Sequence, residues 1–275
     1  MDLERFNCYS EDATIRGNLQ GIVKQNLMDL DFILRNFKNE RPELIEDLVN
    51  DFQNRLQNII TKEYDLDQLE SEKDLEILAN FPTLLELSKS AILSFLNISD
   101  FENIALDTKP EFQHSDLIRA WFSFRYYLMV SLASILPREK GIEFLRNYID
   151  NNIAHYLDPR LQADTIEEFA EKVTKQMVSS KAYNFTVFKQ SKGVFTIKFE
   201  KCKWHQVMKE LEDQELAYYI PCYGDFRAAQ FYNENFILTR TQTLMEGRDY
   251  CDFCWHDTRI DKRAEHPPKE FWDNL

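Results

Sequence analysis

The sequence predicts an α+β protein, on three observations. Apolar residues recur at three- and four-residue steps over most of the first two thirds. After Lys181 the period changes to two, and two candidate hairpins follow, separated by a short helix. The expected architecture is an N-terminal helical region, 1–108, followed over 109–275 by helices packed on a small antiparallel sheet built from two hairpins and covered on one face.

Ile22, Val23, Leu27, Leu30, Ile33, Leu34 and Phe37 place one apolar stripe on a helix from Asn18 to about Phe37. Leu44, Ile45, Leu48, Val49, Phe52, Leu56, Ile59 and Ile60 repeat the pattern after Pro42, which stands where a first-turn proline is tolerated. An acidic passage, 63–76, precedes a third helical run around Leu84, Leu85, Leu87, Ile92, Leu93 and Phe95. Residues 99–114 break the periodicity and supply the domain boundary. Helices are then expected from Ser115 to Leu136, from Arg138 to Tyr156 and from Thr165 to about Val178. Thr165 and Glu168 carry a capping-box spacing for the last of these. AYNFTVFKQ and VFTIKFEKC, joined at Gly193, read as one hairpin. FILTRTQT and CDFCWHDTR, joined near Gly247, read as the other, with a short helix over 204–212 between them. The tail from Lys262 is expected on the surface.

Composition removes several function classes. With 275 residues and 44% hydrophobic content, the chain can bury a core without disulfides or metals. A formal net charge of -14 disfavours nucleic acid and anionic membrane as partners. The window from Leu117 to Leu136 has the length of a membrane span but contains Arg119 and Arg125, and an arginine deep in a span costs roughly 2.5–3.5 kcal/mol. It is therefore read as a buried helix. Five cysteines and a polar start lead to the expectation of a reducing, cytoplasmic setting. Neither G-x-G-x-x-G, G-x-x-x-x-G-K-[ST] nor H-E-x-x-H occurs, and no cofactor is expected.

The chemistry concentrates between Cys222 and Arg259. Alternation along a strand puts Cys251, Phe253 and Trp255 on one face and Asp252, Cys254 and His256 on the other. That geometry separates the sulfurs of the C-x-x-C pair and argues against a chelate or a redox disulfide. Cys222 lies in PCYGD, a turn-like setting, where a thiol can act as nucleophile with Asp225 as its base, or simply pack as a small hydrophobe. Arg240 can hold a substrate carboxylate, or form a structural salt bridge to Asp225 or Asp252. The candidate catalytic residues are Cys222, Asp225 and His256. The candidate substrate-binding residues are Arg240, Thr241, Thr243 and Asp252.

Cys202, Leu211, Cys222 with Asp225, the run Arg240-Thr241-Gln242-Thr243-Leu244, Gly247 and Cys251-Asp252-Phe253 together resemble the L-2-amino-thiazoline-4-carboxylic acid hydrolase family, over roughly 115–259. The resemblance implies a hydrolase that opens a small cyclic amidine or isothiourea carboxylate to an N-carbamoyl-cysteine product, classed with hydrolysis of non-peptide C–N bonds, or a relative recruited to a related small-molecule transformation. Cys254, where the family pattern suggests a basic residue, and the helical extension are departures from it. The C-terminal pattern is also similar, more weakly, to 4-vinyl-reductase-like ligand-binding domains. That likeness implies a non-enzymatic alternative: a small-ligand or metal-binding sensor or assembly module, homodimeric through the N-terminal helices. In a third arrangement Cys202, Cys222 and Cys251 would gather as metal ligands with His205 or His256.

Overall fold

The computed structural model describes residues 3–66, 69, 75–98, 101 and 108–275. Most of the expected acidic passage and boundary segment, 63–76 and 99–114, is divided between described and undescribed residues. The mixed architecture is as the sequence predicts. Packing divides the chain into two compact units, residues 14–148 and residues 1–13 with 149–275. Residues 109–148 thus pack with the helical unit.

Strand β1, Leu3–Asn7, belongs to the sheet-bearing unit, and the sequence pattern gives no sign of it. In the helical unit, β2 (Thr14–Arg16) pairs antiparallel with β3 (Glu111–Gln113). Helix α1, Leu19–Glu40, starts at Asn18, whose side chain accepts the Gly21 N–H at 2.6 Å as an N-cap should. A 3-10 turn, Pro42–Leu44, leads into α2, Ile45–Ile59, and α3 spans Pro82–Phe95. The next helix is α4 (His114–Ile118) running through a π turn (Arg119–Ser123) into α5 (Phe124–Ile135), followed by α6 (Arg138–Asn152). The expected apolar stripes are core: Leu30, Leu34, Phe37, Leu48, Phe52 and Leu56 are all fully buried. Arg125, which spoke against a membrane span, pairs inside this unit with the buried Asp29 of α1. Among the described residues no helix is long and apolar enough to cross a membrane.

In the sheet-bearing unit, α7 (Ile166–Ser180) is capped by Thr165, whose hydroxyl accepts the Glu168 N–H at 3.2 Å. Glu168 returns its bond one residue early, to the Asp164 N–H at 3.0 Å. β4 (Tyr183–Ser191) and β5 (Val194–Cys202) form the first hairpin, with Gly193 at φ 80° supplying the left-handed turn residue. Short helices α8 (Lys203–Met208), α9 (Gln214–Tyr218) and α10 (Asp225–Tyr232) precede β6 (Phe236–Thr239) and β7 (Cys251–Asp257). The sheet is fully antiparallel in the order β1-β4-β5-β7-β6, so β1 adds an edge strand to the two hairpins. The expected strand FILTRTQT stops at Thr239.

The sheet is covered on both faces. Phe169 of α7 packs with Phe185, Phe195, Phe236, Cys251 and Trp255 on one face. On the other, Trp272 and Leu275 meet Val194, Tyr250 and Cys254. The tail expected on the surface is therefore partly core: helix α11, Lys269–Asp273, places Trp272 at 1% exposure, and Lys198 Nζ donates to the Trp272 carbonyl at 2.7 Å.

Candidate active site

Cys222 lies in a π-helical turn, Tyr219–Tyr223, that joins α9 to α10, and not in the open turn read from PCYGD. Proline lacks an N–H and disrupts a regular α-helix, while the wider π turn often marks a functional position. Pro221 sits in this wide turn. The turn is pressed onto the 149–155 segment: a Cβ on Gly224 would lie 2.7 Å from Ile153 Cδ1, and the Tyr223 hydroxyl donates to Asp150 Oδ2 at 3.2 Å. The sequence P-C-Y-G-D thus becomes a fixed shelf with Cys222 on it and Asp225 opening the next helix.

Arg240, just beyond β6, organises the shelf. Its Nη1 donates to Asp225 Oδ2 at 2.6 Å, and its Nη2 donates to the Tyr218 hydroxyl at 2.8 Å and to the Cys222 carbonyl at 3.0 Å. The rings of Phe226 and Phe253 lie 4.8 Å from the guanidinium carbon. Of the two salt bridges the sequence left open for Arg240, the structure has the one to Asp225. The Arg240 side chain is 2% exposed, whereas that of Asp225 is 33% exposed. Oδ2 faces the guanidinium, and part of the Asp225 side chain stays in contact with solvent.

Burial dominates the titration of this cluster. It raises the Asp225 carboxyl above the ordinary carboxylate value, with Arg240 opposing. It raises Cys222 well above a free thiol, and the Asp225 charge adds to that, so Cys222 is neutral near pH 7. Burial also pushes Cys202 up to about 11 and Cys251 up to about 12. The thiols of Cys202 and Cys251 are close enough to Cys222 to raise it further. Yet Tyr183, Cys202, Tyr218, Cys222, Asp225 and Tyr232 all keep partial solvent exposure. These groups are strongly desolvated, yet none of them is fully closed off from solvent. Tyr183, Tyr218, Phe226, Tyr232 and Phe253 are the residues that sequence reading missed here. The available signal was the four-residue step from Tyr218 to Cys222, concealed by the turn-like look of Pro221 and Gly224.

The other candidates are elsewhere. Asp252, His256 and Thr241 lie on the opposite side of β7 in a continuous polar network. His256 Nδ1 meets Asp261 Oδ2 at 2.7 Å, and its Nε2 meets the Thr239 hydroxyl at 3.0 Å. Thr239 also meets His266 Nδ1 at 3.0 Å, and His266 Nε2 meets Asp252 Oδ2 at 3.0 Å. Asp252 further accepts the backbone N–H groups of Thr241 and Gln242 at 3.0 and 2.9 Å, and the Thr241 hydroxyl. Burial works against the Asp252 charge, but these donors outweigh it and hold its pKa below the ordinary carboxylate value. His256 is lowered, chiefly by burial, against the pull of Asp261. Thr243 is fully buried and caps the 3-10 turn Leu244–Glu246, accepting from the Glu246 N–H at 3.2 Å and donating to its carboxylate at 2.8 Å. The structure therefore brings Cys222, Asp225 and Arg240 together and gathers none of Thr241, Thr243, Asp252 and His256 with them.

The strand places Cys251 in the α7-side core and Cys254 in the tail-side core, so the C-x-x-C sulfurs face apart as alternation requires. Among the described residues no group of three or more His, Cys, Asp or Glu side chains is arranged to hold a metal ion, which leaves the three-thiolate arrangement without support. An open polar groove is lined by residues 162–164, Glu168, residues 230–235 and Arg259, and of the Asp225 cluster it includes Tyr232 alone.

The model of the L-2-amino-thiazoline-4-carboxylic acid hydrolase family matches residues 119–255, bearing out the resemblance seen in the sequence. The match spans Cys202, the Cys222–Asp225 shelf, Arg240 and most of β7. It carries the hydrolase likeness and not the likeness to 4-vinyl-reductase-like domains. No curated protein matches the chain.

Proposed function

We propose that the cluster around Asp225 hydrolyses a small cyclic amidine or isothiourea carboxylate, of which L-2-amino-thiazoline-4-carboxylate is the substrate the family match suggests. One observation carries the reading: a partly exposed carboxylate of raised pKa, fixed by a buried arginine, lies within the matched segment close to the half-buried Cys222. A raised carboxyl pKa suits a general base, because the group that must take a proton does so more readily. Both nitrogens survive in an N-carbamoyl product, so the ring bond that breaks is C–S and not the C–N bond expected from the sequence. Asp225 takes a proton from water, the water oxygen bonds to the carbon between sulfur and nitrogen, and the sulfur departs as a thiol. Desolvation and the neighbouring carboxylate keep Cys222 neutral, which favours water as the attacking group with Cys222 as a wall beside it. Arg240 is engaged with Asp225, Tyr218 and the Cys222 carbonyl, so it acts through the base it holds and not as an open clamp for the substrate carboxylate.

The test is thiol release from L-2-amino-thiazoline-4-carboxylate, with mass detection of the N-carbamoyl product. Wild-type protein is expected to turn over, Asp225→Asn to lose that turnover, and Cys222→Ser to keep a large part of it. Equal turnover by wild type and Asp225→Asn, or none by wild type at any pH from 6 to about 9, overturns the reading. A Cys222 adduct seen by mass reassigns the nucleophile.

A further inference from the structure

Arginine has donors only, so in the 2.8 Å contact with Arg240 Nη2 the Tyr218 hydroxyl is the acceptor and its own proton points elsewhere. No second hydrogen bond from this hydroxyl exists among the described residues. The same nitrogen of Arg240 reaches the Cys222 carbonyl at 3.0 Å, which sets the phenol directly beside the Cys222 shelf. Tyr218 keeps partial exposure, and the guanidinium carbon lies 5.7 Å from its ring centroid. The phenol oxygen is held by a cation, so a phenolate formed there is met by a positive donor already in place.

We infer that Tyr218 is a further catalytic residue, the general acid that protonates the departing ring sulfur. The inference rests on the hydrolytic reading above. The substrate binds as the amidinium, with its ring nitrogen protonated. Water bonds to the amidine carbon as Asp225 takes one of its protons, giving a neutral tetrahedral adduct. The C–S bond then breaks with its electron pair on sulfur, and the Tyr218 proton passes to that sulfur to give the thiol. The carbon–oxygen bond becomes a carbonyl, and its hydroxyl proton returns to the phenolate. Asp225 releases its proton to solvent, and the sum is amidinium plus water giving carbamoyl product, thiol and one proton.

Burial raises the Tyr218 phenol above its ordinary value, against the pull of Arg240, so the donor is loaded across the neutral range. Loss of this proton must then switch off kcat at alkaline pH.

The experiment measures kcat and KM against pH for wild type, Tyr218→Phe and Tyr218→3-fluorotyrosine on L-2-amino-thiazoline-4-carboxylate, with Asp225→Asn beside them. The expected result for Tyr218→Phe is a fall in kcat of about 10²-fold or more with KM little changed and the alkaline limb gone. Tyr218→3-fluorotyrosine, which keeps the hydroxyl and lowers its pKa, shifts the alkaline limb to lower pH. This second variant keeps the test decisive even where Tyr218→Phe fails to fold. An alkaline limb that stays in place in the fluorotyrosine protein overturns the assignment while leaving the hydrolytic reading intact. Absence of turnover in wild type overturns that reading instead.

Discussion

The two faces of β7 carry similar side chains in opposite states of satisfaction. On the face of Cys251 and Phe253, Arg240 is held by three hydrogen bonds, but Asp225 keeps a third of its side-chain surface and the Tyr218 proton has no acceptor among the described residues. On the face of Asp252 and His256, each carboxylate and imidazole contact closes on another: Asp261, His256, Thr239, His266 and Asp252 form one chain, and Asp252 accepts three further donors. A buried polar network whose members are satisfied fixes structure, whereas groups with unused capacity and access to solvent can act on something else. By residue type alone, the second face, with two histidines and two aspartates, looks the more catalytic of the two.

The largest expected effect breaks the pair apart. Asp225→Asn should lower hydrolysis by about 10²–10⁴-fold, the range for loss of a general base, with the fold retained. Asp252→Asn should leave turnover per folded molecule near wild type. Because burial raises the Asp225 pKa, the acid limb of kcat/KM should lie above the ordinary carboxylate value near 3.9, with activity falling as pH drops through it. Measuring rates and unfolding midpoints on the same preparations decides the matter. An Asp252→Asn protein that stays folded but loses turnover reverses the roles of the two faces.

Stability should show the opposite ranking. Asp252 is 2% exposed and its folded pKa is depressed, so its contribution is present above the unfolded carboxylate pKa and is lost as pH falls through the folded one. Asp252→Asn should cost about 2 kcal/mol at pH 7, the scale of hydrogen bonds to a charged group, and the gap to wild type should close toward acid pH. His256, lowered by burial, works in the same direction: it favours the folded state when neutral and opposes it as pH falls below its unfolded value. Denaturant titrations at pH 7 and in acid check both signs.

The helices and strands were largely legible because their signals are local. Asn18 and Thr165 cap where their side chains predict, and the two hairpins fall on their period-two runs. The candidate site was half legible. Cys222, Asp225 and Arg240 could be named as chemical residues, but alternation along β7 says which side chains share a face, not which face meets the Arg240 cluster and which meets the tail. Trp272 decides that, and nothing local in K-E-F-W-D announces that it will cover the sheet. β1 was invisible for a related reason: it is a short, exposed edge strand without clean alternation, recruited by pairing with β4. Tyr218 was missed because Pro221 and Gly224 mimic a loop where the chain makes a π turn.

The shelf itself can be disturbed without touching a polar group. Gly224 has an ordinary helical φ of -66°, so alanine meets no backbone strain there; its Cβ meets the Ile153 Cδ1 methyl at 2.7 Å and, less tightly, Ile149 Cγ2 at 3.3 Å. Gly224→Ala should therefore cost about 1–2 kcal/mol of stability, within the usual range for overpacking, and should lower kcat by displacing Asp225. Trimming Ile153 in the double variant Gly224→Ala with Ile153→Val makes room and should restore part of the rate. No restoration would mean that the glycine serves the turn in some way other than by close approach.

The smallest effect concerns the most motif-like of the candidates that lie outside the Cys222, Asp225 and Arg240 cluster. Thr243 belongs to the run R-T-x-T-L within the segment matched by the family, yet its hydroxyl is engaged with the N–H and carboxylate of Glu246 and its side chain is fully buried. Thr243→Ala should cost about 1 kcal/mol, the usual value of a lost cap, and Thr243→Ser, which keeps the oxygen, should recover most of it. KM should stay within twofold of wild type, about 0.4 kcal/mol or less of binding, in both variants. A KM that rises in Thr243→Ala and recovers in Thr243→Ser, with equal unfolding midpoints, would return the threonine to the binding surface. The capped turn predicts the reverse, because it bears on the cluster through Leu244, whose N–H donates to Cys251 Sγ at 3.2 Å, and through the Glu246 charge near Tyr218, and not through the Thr243 hydroxyl.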